Sequence, residues 1–271
     1  MAFVIKENVR LHSSVCRLAI EAPDIARKAQ PGQFVMVRSD EQAERIPLTV
    51  FRANPHAGTI ELVVQEAGES TRRICAMPAG AEILDVLGPL GEATEIKQYG
   101  TVVCVGGGVG IAEIYPVAAA LRQAGNRVIS IIGARSLPLL ILEAEMRQAS
   151  DELLIATDDG SAGRKGFVTD ILGELIGWQP PDIVFAVGPL PMMARVAEAT
   201  RPAGIKTIVS LNAIMVDGTG MCGSCRVSVG GKVKFVCVDG PDFDAHQVDF
   251  KELSQRQKRF DLPCKLYCRH H

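Results

Sequence analysis

The chain carries almost no net charge. Its 29 Lys and Arg residues stand against 31 Asp and Glu, a formal charge of -2 over 271 residues. Surfaces that grip nucleic acid need a basic excess to neutralise phosphates, so the composition argues against that class. Long apolar runs are also missing: 47% of the residues are hydrophobic, yet charges interrupt each run before the roughly 18 residues of a membrane helix. The first residues, MAFVIKENVR, lack the basic segment, apolar stretch and small-residue cleavage site of a secretory leader, so a cytoplasmic location is expected. There is no internal repeat, no long low-complexity segment and no persuasive catalytic His. What is plentiful is cysteine. Eight thiols in a reducing compartment leave burial, catalysis or metal ligation as their uses.

Three parts follow one another. Over 1–97 the apolar residues mostly alternate, with turns at Pro31-Gly32 and Pro55-His56-Ala57-Gly58. This predicts short antiparallel strands at 14–21, 33–38, 48–53, 59–66 and 82–86, one helix at 71–77, and closure into a small β-barrel that leaves no exposed edge. Over 98–210, apolar runs at 101–105, 127–132, 153–157, 182–187 and 205–210 alternate with helical patterns at 110–124, 137–149, 167–177 and 190–200. That alternation predicts an α/β domain with a parallel sheet, whose ligands bind at the carboxyl ends of the strands. Residues 211–260 lose the period, and 217–240 is rich in Gly and Cys with little room for a core, so a bound metal is expected to supply stability. The end, 261–271, has no assigned role; its Cys264, Cys268, His270 and His271 are read as a terminus or partner contact, with metal binding as the rival.

The sharpest motif is Asp217-Gly218-Thr219-Gly220-Met221-Cys222-Gly223-Ser224-Cys225 followed by Cys237, a spacing of D-x4-C-x2-C-x11-C. Three thiolates and a carboxylate on a glycine-rich loop give four ligands with backbone N–H groups close to sulfur. The spacing follows plant-type [2Fe-2S] sites with Asp217 standing where the first Cys would be. A structural zinc ion on the same ligands is the rival, and Asp217 has the alternative role of an Asx-turn residue.

A second motif, Gly106-Gly107-Gly108-Val109-Gly110-Ile111, lies between an apolar strand and a helix. Glycine permits close approach of a pyrophosphate, and a helix N-terminus favours its charge, so a dinucleotide is expected; helix packing is the alternative use. The last Gly of G-x-G-x-x-G is replaced by Ile111, and the next strand ends in Gly133-Ala134-Arg135 with no acidic residue for a ribose hydroxyl. Asp158-Asp159 and Gly188-Pro189-Leu190-Pro191-Met192 follow the third and fourth strands and are expected to line the same crevice. In the barrel, Arg45-Ile46-Pro47-Leu48-Thr49 and Gly68-Glu69-Ser70-Thr71 suit a pyrophosphate at a helix N-terminus, or else a surface Arg and an N-cap. Cys16, Cys75 and Cys104 sit in apolar contexts and are read as buried thiols.

R-x-P-L-T, G-x-S-T, GGGVG and the cysteine loop, in that order, make the chain similar to the ferredoxin-NADP reductase-like electron-transfer subunits. Within that group it resembles the small subunits of NADH-dependent reduced ferredoxin:NADP oxidoreductase and sulfide dehydrogenase, with the dihydroorotate dehydrogenase electron-transfer subunit a close relative. The resemblance implies that Arg45, Pro47, Leu48, Thr49, Val63, Val64, Gly68, Ser70 and Thr71 hold FAD. It implies that Gly106 to Ile111, with Gly133, Ala134, Arg135, Asp158, Asp159, Gly188, Pro189 and Met192, meet NAD(H), with NADP(H) as the other candidate because Arg135 suits a 2'-phosphate. Asp217, Cys222, Cys225 and Cys237 would hold a [2Fe-2S] cluster. Hydride would pass between NAD(H) and FAD, and single electrons through the cluster to or from a larger flavin and iron-sulfur subunit, as in electron bifurcation. Delivery of electrons to a dihydroorotate dehydrogenase catalytic subunit, and a nucleotide-binding scaffold with structural zinc, are the alternatives.

Overall fold

The computed structural model describes residues 3–258. Cys264, Cys268, His270 and His271 lie outside the described residues.

The first strands, β1 (Phe3–His12), β2 (Val15–Glu21), β3 (Phe34–Arg38), β4 (Ile46–Asn54) and β5 (Thr59–Gln65), are antiparallel, with a short helix α1 (Pro23–Ala26) after β2. Helix α2 (Glu69–Ala76) precedes β6 (Glu82–Ile83) and β7 (Asp85–Leu90). The strand order is β6-β1-β2-β5-β4-β3-β7. Leu84 alone separates β6 from β7, so one stretch of chain pairs with β1 at one edge and with β3 at the other. That closes the barrel. The strand expected at 82–86 is thus two strands with different partners, and β1, whose alternation is diluted by Lys6, Glu7, Asn8 and Arg10, escapes the sequence pattern. Ile5, Leu18, Ile20, Val35, Ile60, Leu62 and Val64 fill the barrel together with Cys16 and Cys75, whose sulfurs touch at 2.7 Å.

The second sheet contains β8 (Thr101–Gly107), β9 (Arg127–Ala134), β10 (Glu152–Thr157), β11 (Arg164–Lys165), β12 (Ile183–Val187) and β13 (Lys206–Ser210), all parallel. Between them run α3 (Gly110–Gln123), α4 (Glu143–Ala149), α5 (Val168–Trp178) and α6 (Leu190–Thr200). The helix expected at 137–149 is shorter. Pro138 sits in a single 3₁₀ turn at Leu137–Leu139, and Leu142 takes a φ of 57° before α4 begins. The order β11-β10-β9-β8-β12-β13 reverses direction between β8 and β12, and a crevice opens at the carboxyl ends of strands at such a reversal.

The last segment holds β14 (Arg226–Val229), β15 (Lys232–Phe235), α7 (Val236–Asp239), β16 (Asp242–Asp244) and α8 (Phe250–Gln257). The hairpin β14-β15 stands apart, but β16 joins the parallel sheet antiparallel to β13. This segment has more core than its composition promises. Cys225, Val227, Val236, Cys237, Phe243 and Leu253 pack in one cluster with Phe34 and Met36 of the barrel and Val209 of the sheet. It borrows apolar surface from both neighbours instead of relying on a metal alone. Among the described residues no helix is long and apolar enough to cross a membrane.

Candidate functional site

A crevice of about 630 Å³ opens at the reversal between β8 and β12. Gly107, Gly108, Val109 and Gly110 line it from the β8–α3 turn, Gly133, Ala134 and Arg135 from the end of β9, Asp158 from the end of β10, and Gly188, Pro189 and Met192 from the start of α6. Four segments distant in sequence therefore meet at one sheet edge. The glycines are there for contact. A Cβ on Gly110 would stand 2.4 Å from the Val187 carbonyl oxygen, so only glycine lets α3 start this close to β12. Gly108, at a φ of +58°, has open space where a side chain would be, which suits the backbone approach of a pyrophosphate.

Three expected residues of this group lie elsewhere. Gly106 and Ile111 are buried and pack on each other; a Cβ on Gly106 would sit 3.0 Å from the Ile111 Cα. They shape the turn from beneath. Asp159 spends its carboxylate on Ser161, accepting from the backbone N–H at 2.9 Å and the hydroxyl at 2.6 Å, and these bonds hold it below the usual carboxylate range. The crevice also takes His12 and Ser14 from the β1–β2 turn, Glu113 from α3, Phe167 before α5, Arg195 from α6, and Asn212. No spacing in the sequence marks these, because each is a lone residue brought in by the topology.

Next to the crevice a cleft of about 250 Å³ lies between barrel and parallel sheet, lined by Pro47, Leu48, Thr49 and Val63 on one side and Val109, Ala112 and Glu113 on the other. Val64 is turned into the barrel interior, since successive residues of β5 alternate faces. Gly68, Ser70 and Thr71 sit at the start of α2 rather than on the cleft wall. The Thr71 hydroxyl oxygen accepts from the backbone N–H groups of Ala67 and Gly68 at 2.9 Å each, fixing that helix end, and no atom lies within 4 Å of where a Gly68 Cβ would be. An open, N–H-bearing helix start beside an apolar cleft fits a flavin dinucleotide with its ring in the cleft and its pyrophosphate at the helix. Arg45 does not line the cleft; Asp85 holds its guanidinium at 2.7 and 3.2 Å on the partly exposed face of the barrel.

The cysteine loop leans on the barrel. A Cβ on Gly218 would stand 2.5 Å from Met36 and 3.1 Å from Leu90, so the positive φ of +79° there brings the loop against β3 and β7. Cys225 and Cys237 are buried with sulfurs 3.3 Å apart, about half an ångström inside the roughly 3.8 Å that two thiolates take on one tetrahedral metal, while Cys222 is exposed. The Ser224 N–H donates to Cys222 sulfur and the Cys237 N–H to Cys225 sulfur, both at 3.5 Å. Burial, then the Cys225 contact, push the Cys237 thiol up to about 12, so it gives up its proton readily only to a metal. Asp217 is the loop's brace. Its carboxylate accepts from the N–H groups of Thr219 and, at 2.7 Å, Cys222, which hold it down at about 2. The structure brings Cys225 and Cys237 together and leaves Cys222 and Asp217 at the rim; among the described residues no three His, Cys, Asp or Glu side chains converge as a ready metal site. The donor set still fits an iron-sulfur cluster: three sulfurs, two of them receiving backbone N–H bonds, with Cys222 and Cys225 on the glycine loop and Cys237 at the start of α7 beside it.

The chain is similar to known proteins. Residues 212–249 match the family described as the iron-sulfur cluster binding domain of dihydroorotate dehydrogenase B. A Thermotoga maritima protein named as a homolog of the dihydroorotate dehydrogenase B (NAD(+)) electron transfer subunit is 47% identical over 256 residues, covering 94% of this chain and 90% of its own length. A probable electron transfer subunit of the same enzyme from Methanopyrus kandleri is 36% identical, over 88% of this chain and 87% of its own. Among solved structures, a chain of NADH-dependent reduced ferredoxin-NADP oxidoreductase, described for flavin-based electron bifurcation, superposes with a TM-score of 0.93 at 43% identity, covering 98% of this chain and 96% of that one.

Proposed function

The chain belongs to the family of dihydroorotate dehydrogenase B electron transfer subunits, and from that premise we propose that it exchanges hydride between NAD(H) and FAD and passes single electrons through a [2Fe-2S] cluster to or from a partner flavoprotein. The observation that carries this reading is the meeting of two cavities: Val109, Glu113, Gln65 and Asn212 line both the crevice and the cleft, so a nicotinamide and a flavin ring would share one wall. Flavin is the cofactor that takes two electrons as hydride and releases them one at a time.

The chain's own residues bind and orient. Gly107 to Gly110 and the start of α3 would receive the nicotinamide dinucleotide, with Gly133 to Arg135, Asp158, Gly188, Pro189 and Met192 around it. Pro47, Leu48, Thr49 and Val63 would wall the flavin ring, and Gly68, Ser70 and Thr71 its pyrophosphate. Asp217, Cys222, Cys225 and Cys237 would hold the cluster. That loop rests on β3 and β7, and β3 pairs with the strand bearing Pro47 to Thr49.

The partner reading, a larger flavin and iron-sulfur subunit, is supported by Val216, Met221 and Val238, large apolar side chains left exposed around the cysteine loop. The near-complete overlap with the bifurcating oxidoreductase chain favours that kind of complex; the names of the sequence relatives favour a dihydroorotate dehydrogenase. Anaerobic purification with iron, sulfide and FAD, followed by reconstitution with each type of large subunit, tests the reading. Bound FAD, iron with acid-labile sulfide and NADH-driven viologen reduction are expected. Zinc in place of iron, or no FAD after reconstitution, would end it.

A further inference from the structure

Glu113 is common to three cavities: the nicotinamide crevice, the flavin cleft and a small space of about 10 Å³ adjoining the cleft at Thr49 and Ser210, room for about one water. It sits in the first turn of α3, with no hydrogen bond or ion pair to its carboxyl group among the described residues. A carboxyl group with no fold partner, held where two redox ligands meet, has a chemical use open to it.

We infer that Glu113 is the proton acceptor of the flavin half-cycle, taking the N5 proton as electrons leave for the cluster. The inference rests on the flavin reading above. A bound flavin would take hydride from NADH, leaving NAD+, so its N5 hydrogen would arrive with the electron pair. Departure towards the cluster proceeds by single electrons, and the balance is reduced flavin anion to oxidised flavin plus two electrons plus one proton. The electrons go to the iron-sulfur centre. The proton needs a base on the cleft wall, and the Glu113 carboxylate takes it.

The surroundings suit this. Burial alone pushes the Glu113 carboxyl up to about 7, where a group both takes and returns protons. Across the small cavity stand Ser210 and Asp242, the latter raised by burial and bonded by the Thr94 hydroxyl at 2.6 Å. Other charged groups near α3 have different engagements: Arg52 of β4 with Tyr115, Glu145 of α4 with Arg17. His12, Arg135, Asp158 and Arg195 share the wider crevice, β8 contributes the buried Cys104 thiol, and β12 has no titratable residue.

The test uses the holo-chain carrying FAD and iron, beside Glu113→Gln and Glu113→Asp. FAD content is measured first, so a wild-type chain without FAD counts against the function proposed above. Stopped-flow then separates flavin bleaching by NADH from reoxidation by ferricyanide, across pH. Glu113→Gln is expected to slow reoxidation about tenfold or more beyond any effect on bleaching. It should also lose the break near neutral pH, and Glu113→Asp should restore part of both. A carboxylic acid infrared band titrating near pH 7 in the wild type should vanish in Glu113→Gln. Equal slowing of both halves, an unchanged pH profile, loss of FAD in both variants or absence of the infrared band would each overturn the assignment.

Discussion

Asp217 has one carboxylate and two uses for it. In the loop described above it braces the N–H groups of Thr219 and Cys222; as a fourth ligand it would have to release at least one of them. Asp217→Cys is therefore expected to keep a cluster but change its EPR spectrum and lower its potential, while an unaltered spectrum would leave Asp217 as a brace only. Gly110 is less forgiving. Its missing Cβ faces a backbone carbonyl, so Gly110→Ala should cost about 1–3 kcal/mol in a denaturant titration and raise the KM for NADH. Glu113 makes a pH signature in the FAD-free chain. Its carboxyl is raised from 4.5 to about 7 on folding, so the unfolded chain ionises first and stability falls as pH rises across that interval, then levels off. Melting temperature against pH should show this slope in the wild type and a shallower one in Glu113→Gln. The glycine and cysteine motifs stand out in the sequence because their chemistry is local: spacing puts Asp217, Cys222 and Cys225 on one loop, and the β14–β15 hairpin brings Cys237 of α7 back to Cys225. Glu113, His12 and Asn212 do not, since a lone polar residue carries no spacing.

At the scale of elements, five strands of the parallel sheet could be read to within a residue or two because they are largely apolar runs between helices of regular period, whereas β11, an exposed Arg164-Lys165 pair, carries no such pattern. The exceptions have local causes. β1 carries five polar residues in ten, and 82–90 breaks at Leu84 because its two halves have different partners. β16 is three residues long, too short for any pattern, yet it ties the cysteine segment to the sheet. Phe243 at its centre packs against Gly240, where a Cβ would stand 2.4 Å from the ring. Phe243→Ala should cost about 3–5 kcal/mol and lower iron retention on gel filtration. Loss of stability with full iron content would show that the loop holds its cluster without the strand.

At the scale of the molecule, hydride transfer depends on how barrel and parallel sheet are held. Arg52 of the barrel lies over the Phe51 ring at 4.7 Å and the Tyr115 ring of α3 at 4.9 Å, and donates to the Tyr115 hydroxyl at 3.0 Å. Arg17 reaches Glu145 of α4 at 3.6 Å. Arg52→Met should loosen this seam by about 0.5–2 kcal/mol and slow NADH-driven flavin bleaching more than it reduces FAD content. At the opposite end, Met221→Glu should weaken capture of the large subunit while leaving the EPR signal intact; unchanged affinity would move the docking surface elsewhere.

The closure of the barrel by 82–90 also sets an order of events. Every strand of that barrel is made before residue 91, whereas the cysteine loop and β16 come after the whole parallel sheet. Chains emerge from the ribosome N-terminus first, and domains fold as units in that order. Iron loading is therefore expected at the end of maturation, on a scaffold already built, and expression under iron depletion is expected to yield a folded, FAD-containing chain without iron.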